Sequence, residues 1–157
     1  MTERALLDFI GDLESGGNHN AVYGNPDAQC SLSRYSLNDI QRLQLEHGKR
    51  TGSSAFGKYQ LIRKTLLGLR TRLKLSGNDP FTPELQDRLA LSLMVARGLR
   101  KWQAGAMTDD AFMDALAKEW ASLPYHNGRS YYDGDGLNHA LASRDEFRHA
   151  LRAARQP

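Results

Sequence analysis

Glu14 closes an apolar-faced segment and is followed by Ser15-Gly16-Gly17. Leu6, Phe9, Ile10 and Leu13 recur at helical spacing, and Glu14, four residues after Ile10, falls at the border of that stripe. Partial burial disfavours an ionised carboxyl, and so does the negative end of a helix dipole. Both raise the pKa, which suits a general acid working near neutral pH. The glycines behind it leave the backbone open to a ligand. An ordinary exposed helix-end glutamate would carry the same local sequence, so position alone does not assign the role.

Two further segments could bind rather than react. Ser53-Ser54-Ala55-Phe56-Gly57-Lys58-Tyr59-Gln60 combines small residues with a turn ahead of a helical pattern. Its backbone N–H groups could face a ligand oxygen, and Gln60 can both donate and accept. Ser54, Tyr59 and Gln60 are the candidate contacts there; the GxxxxGK[ST] spacing of a phosphate loop is missing. Tyr125-His126-Asn127-Gly128-Arg129-Ser130-Tyr131-Tyr132 offers Tyr125, Tyr131 and Tyr132 for stacking on sugar rings. The five histidines lack zinc-ligand spacing, and Asp133-Gly134-Asp135-Gly136 matches a calcium loop at two positions only. No metal and no cofactor are expected, and neither a GxSxG elbow nor a dinucleotide fingerprint occurs.

The elements that must hold these residues read as mostly helical. The first helix ends at Gly16-Gly17. Periodicity then vanishes up to Arg34, with Val22-Tyr23 and Leu32 to Tyr35 as short-strand candidates. Ser36 and Asp39 form a capping-box pattern for a helix over 38–47 that should stop at Gly48. Tyr59, Ile62, Leu66, Leu69 and Leu73 suggest the next helix, broken by Ser76-Gly77-Asn78-Asp79-Pro80. Thr82 and Pro83 open another that runs to Gly98, followed by a short turn of helix to Gln103. Thr108 caps a segment holding Phe112, Leu116 and Trp120, and Ser143 with Glu146 opens the last helix.

At 157 residues, with 40% apolar and 25% charged residues, the chain fits one globular domain with its own core. No apolar run reaches the roughly 18 residues of a membrane helix, so no membrane insertion is expected. The lone Cys30 cannot form an internal disulfide, and no secretory signal is visible, both in keeping with synthesis in a reducing cytosol. The net charge of +3 is unevenly spread. Residues 1–30 hold five acids against Arg4, whereas residues 31–75 hold ten Lys and Arg against Asp39 and Glu46. Arg63, Lys64, Arg70, Arg72 and Lys74 should face outward and meet a polyanion. With Lys58 they make six bases without an acid between 58 and 75, the feature a nucleic-acid binder would use.

Leu13-Glu14-Ser15-Gly16, Gly52, Gly57-Lys58-Tyr59-Gln60-Leu61, Phe81-Thr82-Pro83-Glu84-Leu85-Gln86-Asp87, Arg97-Gly98 and Trp120-Ala121-Ser122-Leu123-Pro124 stand in one order along residues 5–140. Together they resemble the lambda-phage type of endolysin, a lytic transglycosylase. The resemblance implies a single α+β, mostly helical, lysozyme-like catalytic domain over 1–157. It would have a helical lobe, a small β-rich lobe and a peptidoglycan cleft between them. It further implies Glu14 as the catalytic acid, Tyr59 and Gln60 beside it, and Tyr131 or Tyr132 facing it. Residues 19–50 match poorly, so no contact carries over there.

A hydrolase of this type needs a second carboxylate. Asp39 reads as a cap, which leaves Asp27 for that role and a muramidase as the alternative. A transglycosylase needs none, because the muramic C6 hydroxyl is already tethered. A non-catalytic peptidoglycan-binding module would keep the tyrosines but have no use for Glu14. The expected partners are therefore glycan strands and anionic envelope polymers, not nucleic acid. The chain is expected to act as a monomer on the wall after holin-type release from the host cytoplasm, or after delivery.

Overall fold

The computed structural model of the chain describes residues 2–155. Among them seven α-helices occur: α1 Thr2–Ser15, α2 Leu37–Thr51, α3 Arg63–Leu73, α4 Pro83–Ala96, α5 Leu99–Gln103, α6 Asp109–Ala117 and α7 Arg144–Ala153. Their starts follow side-chain chemistry. Ser36 with Asp39 and Ser143 with Glu146 close complete capping boxes. The Thr82 and Thr108 hydroxyls accept from the backbone N–H of Leu85 and Ala111 at 3.2 Å each.

Three boundaries and one element type differ from the sequence pattern. α2 runs through Gly48 and stops at Gly52, whose φ of 86° supplies the left-handed cap that Gly48 does not adopt. α3 begins at Arg63 rather than near Tyr59, because Gly57 (φ 80°) and Gln60 (φ 46°) hold a tight turn closed by the Phe56–Leu61 bridge. α6 ends at Ala117, so Trp120 lies in the turn beyond it. Leu32–Arg34 is a 3₁₀ turn, not a strand. Among the described residues the small β-rich lobe is not seen: extended residues there meet only as isolated bridges, such as Val22 with Asn25 and with Phe56. The Gly, Asn and Pro residues between 16 and 31 supply no alternating apolar run to carry a ladder.

The described residues divide into two compact units, 2–14 with 90–155, and 15–89. In the first, Trp102 stacks on Phe112 (5.1 Å) and Phe9 on Phe147 (5.7 Å). Arg144 of α7 clamps α6 through Asp114 at 2.7 Å and Asp110 at 2.8 Å. In the second, Leu37 and Ile40 of α2 and Leu66 and Leu69 of α3 are buried. Each such side chain is worth roughly 1.5–3 kcal/mol. The buried Gln44 amide donates to Ser54 O at 3.0 Å and Leu61 O at 2.7 Å, so it fastens the 53–61 turn to α2. No described helix is long and apolar enough to cross a membrane.

Candidate active site

Glu14 lies in the last turn of α1, and the buried Ser122 follows α6 by one short turn. The Ser122 hydroxyl donates to Glu14 Oε1 at 2.5 Å, and its backbone N–H donates to the same carboxylate. The two residues line a hollow of about 200 Å³ with Leu13, Asn138, His139 and the exposed Leu137 and Leu141. Burial pushes the Glu14 carboxyl from 4.5 up to about 7, against the smaller opposing effect of the two Ser122 hydrogen bonds. A carboxyl poised there can give a proton at neutral pH and take one back. Glu14 is the one carboxylate among the described residues lining this hollow. Nearby Asp135 is engaged in its own loop, accepting from Leu137 N and Asn138 N at 2.8 Å each. Those bonds hold its carboxyl below the usual range.

The three loop tyrosines gather in the same unit. A bridge between Pro124 and Ser130, with Tyr125 N donating to Arg129 O at 2.7 Å, closes a hairpin. Tyr131 meets Tyr125 and Tyr132 edge-on at 5.1 Å each, and the Lys118 ammonium sits over the Tyr125 and Tyr131 rings. The Tyr132 hydroxyl donates to Lys118 O at 2.7 Å, and burial raises its pKa. Tyr131 and Tyr132 keep exposed ring surface.

Ser54, Tyr59, Gln60 and Asp27 belong to the second unit. Tyr59 is 1% exposed, and its hydroxyl donates to Asp87 Oδ1 at 2.5 Å, an oxygen that also lies 3.5 Å from His19 Nε2. The Gln60 amide turns back to donate to Gly57 O at 3.0 Å. The Ser54 hydroxyl accepts from Arg63 N at 3.0 Å and so caps α3. Several backbone donors of this turn are spent internally: Phe56 N on Leu61 O, Gly57 N on Ala21 O, Lys58 N on Gln86 Oε1. Gly57 is required for more than its φ, since a Cβ there would stand 2.5 Å from Gln86 Oε1. Asp27 is exposed, and its carbonyl accepts from Gln29.

The expected outward basic face is corrected in part. Lys64, Arg72 and Lys74 are exposed. Arg63 and Arg70 turn towards α2, where Arg63 Nε donates to Gln41 O at 3.2 Å and Arg70 donates to Gln41 Oε1. Lys58 is buried. A planar guanidinium on a long apolar stem can reach a neighbouring helix and still leave the core dry.

Ser122 and Gln86 are the residues that sequence reasoning passed over as actors, though both stand inside runs that carry the family resemblance. The loop 137–141 left no signal beyond two leucines without helical partners. Comparison with curated proteins and with solved structures gave no match. The family described as Endolysin matches residues 5–150, a span that takes in Glu14, Ser122, the tyrosine hairpin and most of α7. The chain thus belongs to the endolysin family, whose members degrade peptidoglycan.

Proposed function

We propose that the chain is a lytic transglycosylase, a single lysozyme-like catalytic domain in which Glu14 is the acid and then the base. The observation that carries this is the Glu14 carboxyl, raised to about 7 in a hollow that brings it one hydroxyl partner and no second carboxylate among the described lining residues. Protonated Glu14 gives its proton to the oxygen joining N-acetylmuramic acid to N-acetylglucosamine, and the C1–O bond breaks. The carboxylate then takes the proton of the muramic C6 hydroxyl, whose oxygen bonds C1 and closes a 1,6-anhydro ring. Water is not consumed, and Glu14 ends protonated as it began. The tethered hydroxyl replaces an activated water, which removes the need for Asp27.

Tyr125, Tyr131, Tyr132 and Gln60 are proposed as substrate contacts. Tyr59 and Ser54 fit a supporting role, because their polar atoms are already bonded to Asp87 and Arg63. The enzyme works as a monomer and reaches the wall after holin-type release or delivery.

Mass spectrometry of muropeptides released from purified peptidoglycan tests the reaction. The expected product ends in 1,6-anhydromuramic acid, lighter by one water than a hydrolysed end. Glu14→Gln is expected to lose about 10²–10⁴ in rate, the usual worth of acid catalysis, while Asp27→Asn costs little. Reducing muramic ends together with a severe Asp27→Asn defect would make the enzyme a muramidase.

A further inference from the structure

We propose that the hairpin at 124–130 and the loop at 137–141 form a subsite for the lactyl-peptide branch of the muramic residue. The inference rests on Glu14 being the acid. Beside the Glu14 hollow lies a second one of about 330 Å³, lined by Arg129, Ser130, Asp133 and Ala140, and His139 is a wall of both. An unbranched glycan needs one trough. Two hollows meeting at one residue fit a substrate with a side arm, and peptidoglycan carries one on every muramic acid.

The wall chemistry changes in the order that this arm requires. Next to Glu14 stand Leu137 and Leu141, 76% and 62% exposed, which offer uncovered apolar surface. The arm is apolar at its root, where the lactyl methyl and the first alanine methyl sit. Farther out it bears carboxylates, and the far hollow presents Arg129 and His139. Asp133 lies 3.4 Å from one Arg129 nitrogen, which steadies the guanidinium and leaves its other N–H groups for a carboxylate.

The loop is shaped before any ligand arrives. Asp135 accepts from Leu137 N and Asn138 N, and Leu141 N donates to Ser122 O at 2.8 Å. Ser122 thereby holds the loop through its carbonyl and Glu14 through its hydroxyl. A preorganised wall lowers the ordering cost of binding.

The test compares kcat/KM of the full chain on soluble glycan strands that bear peptide stems and on the same strands stripped by an amidase. The wild type is expected to favour the stem-bearing strands about tenfold or more, the worth of a hydrogen bond to a charged group. Arg129→Gln should cut turnover of stem-bearing strands about tenfold more than that of stripped ones, mainly through KM, and Arg129→Lys should restore part of it. Leu137→Ser should also lower the stem preference. An equal loss on both preparations, no loss on either, or a wild type without stem preference would overturn the subsite. Failure of the Glu14 reading would look different, because Glu14→Gln would then remain active on both preparations.

Discussion

At the scale of single residues, the carboxyl proposed as the acid carries a cost. Glu14 titrates at about 7 in the folded chain against 4.5 as its ordinary value. The folded state therefore binds the proton more tightly than the unfolded one. That stabilisation is fully present below about pH 4.5 and is lost as pH rises through about 7. The difference is on the order of 3 kcal/mol. Glu14→Gln keeps an oxygen for the Ser122 hydroxyl and carries no charge to bury. Thermal melts should find it more stable than wild type at pH 8, with the two converging near pH 4.5. A variant no more stable at pH 8 would mean that burial does not set this pKa. Wild-type activity should likewise fall as pH rises through about 7, since the proposed mechanism starts from the acid form.

At the scale of elements, α3 and the residue that ends it carry their positive charges in two ways. Arg63 and Arg70 are joined to Gln41 of α2, whereas Lys64 and the C-cap Lys74 are exposed. The substitutions should separate accordingly. Arg70→Gln removes a charge-assisted bond across the α2–α3 contact and should cost about 1–3 kcal/mol, read as a lower midpoint in urea. Lys64→Gln with Lys74→Gln should leave that midpoint in place and slow lysis of whole cells at low salt, sparing soluble oligosaccharides. Equal slowing on oligosaccharides would place these lysines in substrate binding instead of encounter.

At the scale of the whole molecule, charge divides with the two compact units. Residues 15–89 hold eleven Lys and Arg against six Asp and Glu, a net of +5, and the remainder holds ten against twelve, a net of −2. A total of +3 hides that contrast. We propose that the unit at +5 steers encounter with anionic envelope polymers, over distances that salt controls, with a screening length of about 10 Å at 0.1 M. Lysis rates of whole cells should therefore fall as salt rises from about 0.05 to 0.3 M, a range in which that length roughly halves. Turnover of short neutral glycans should stay flat, and a parallel fall would locate the salt effect in the chemical step.

Residue order alone made most of the helices legible, together with Glu14 at a helix end and the family to which the chain belongs. Apolar spacing and capping residues act within three or four positions, so Ser36 with Asp39 and Ser143 with Glu146 announce their helices without help from the rest of the chain. What lay beyond the sequence depends on partners far along it. The Ser122 hydroxyl reaches Glu14 across 108 positions, Gln86 accepts from Lys58 across 28, and Arg70 finds Gln41 across 29. No periodicity encodes such meetings. The same holds for the strand candidates at Leu32 to Tyr35, which became a 3₁₀ turn, and for the α3 start, set by the left-handed turn at Gly57 and Gln60. Local pattern selects an element. Only the packed chain decides which polar atoms it spends on itself and which, as at Glu14, it buries with a raised pKa.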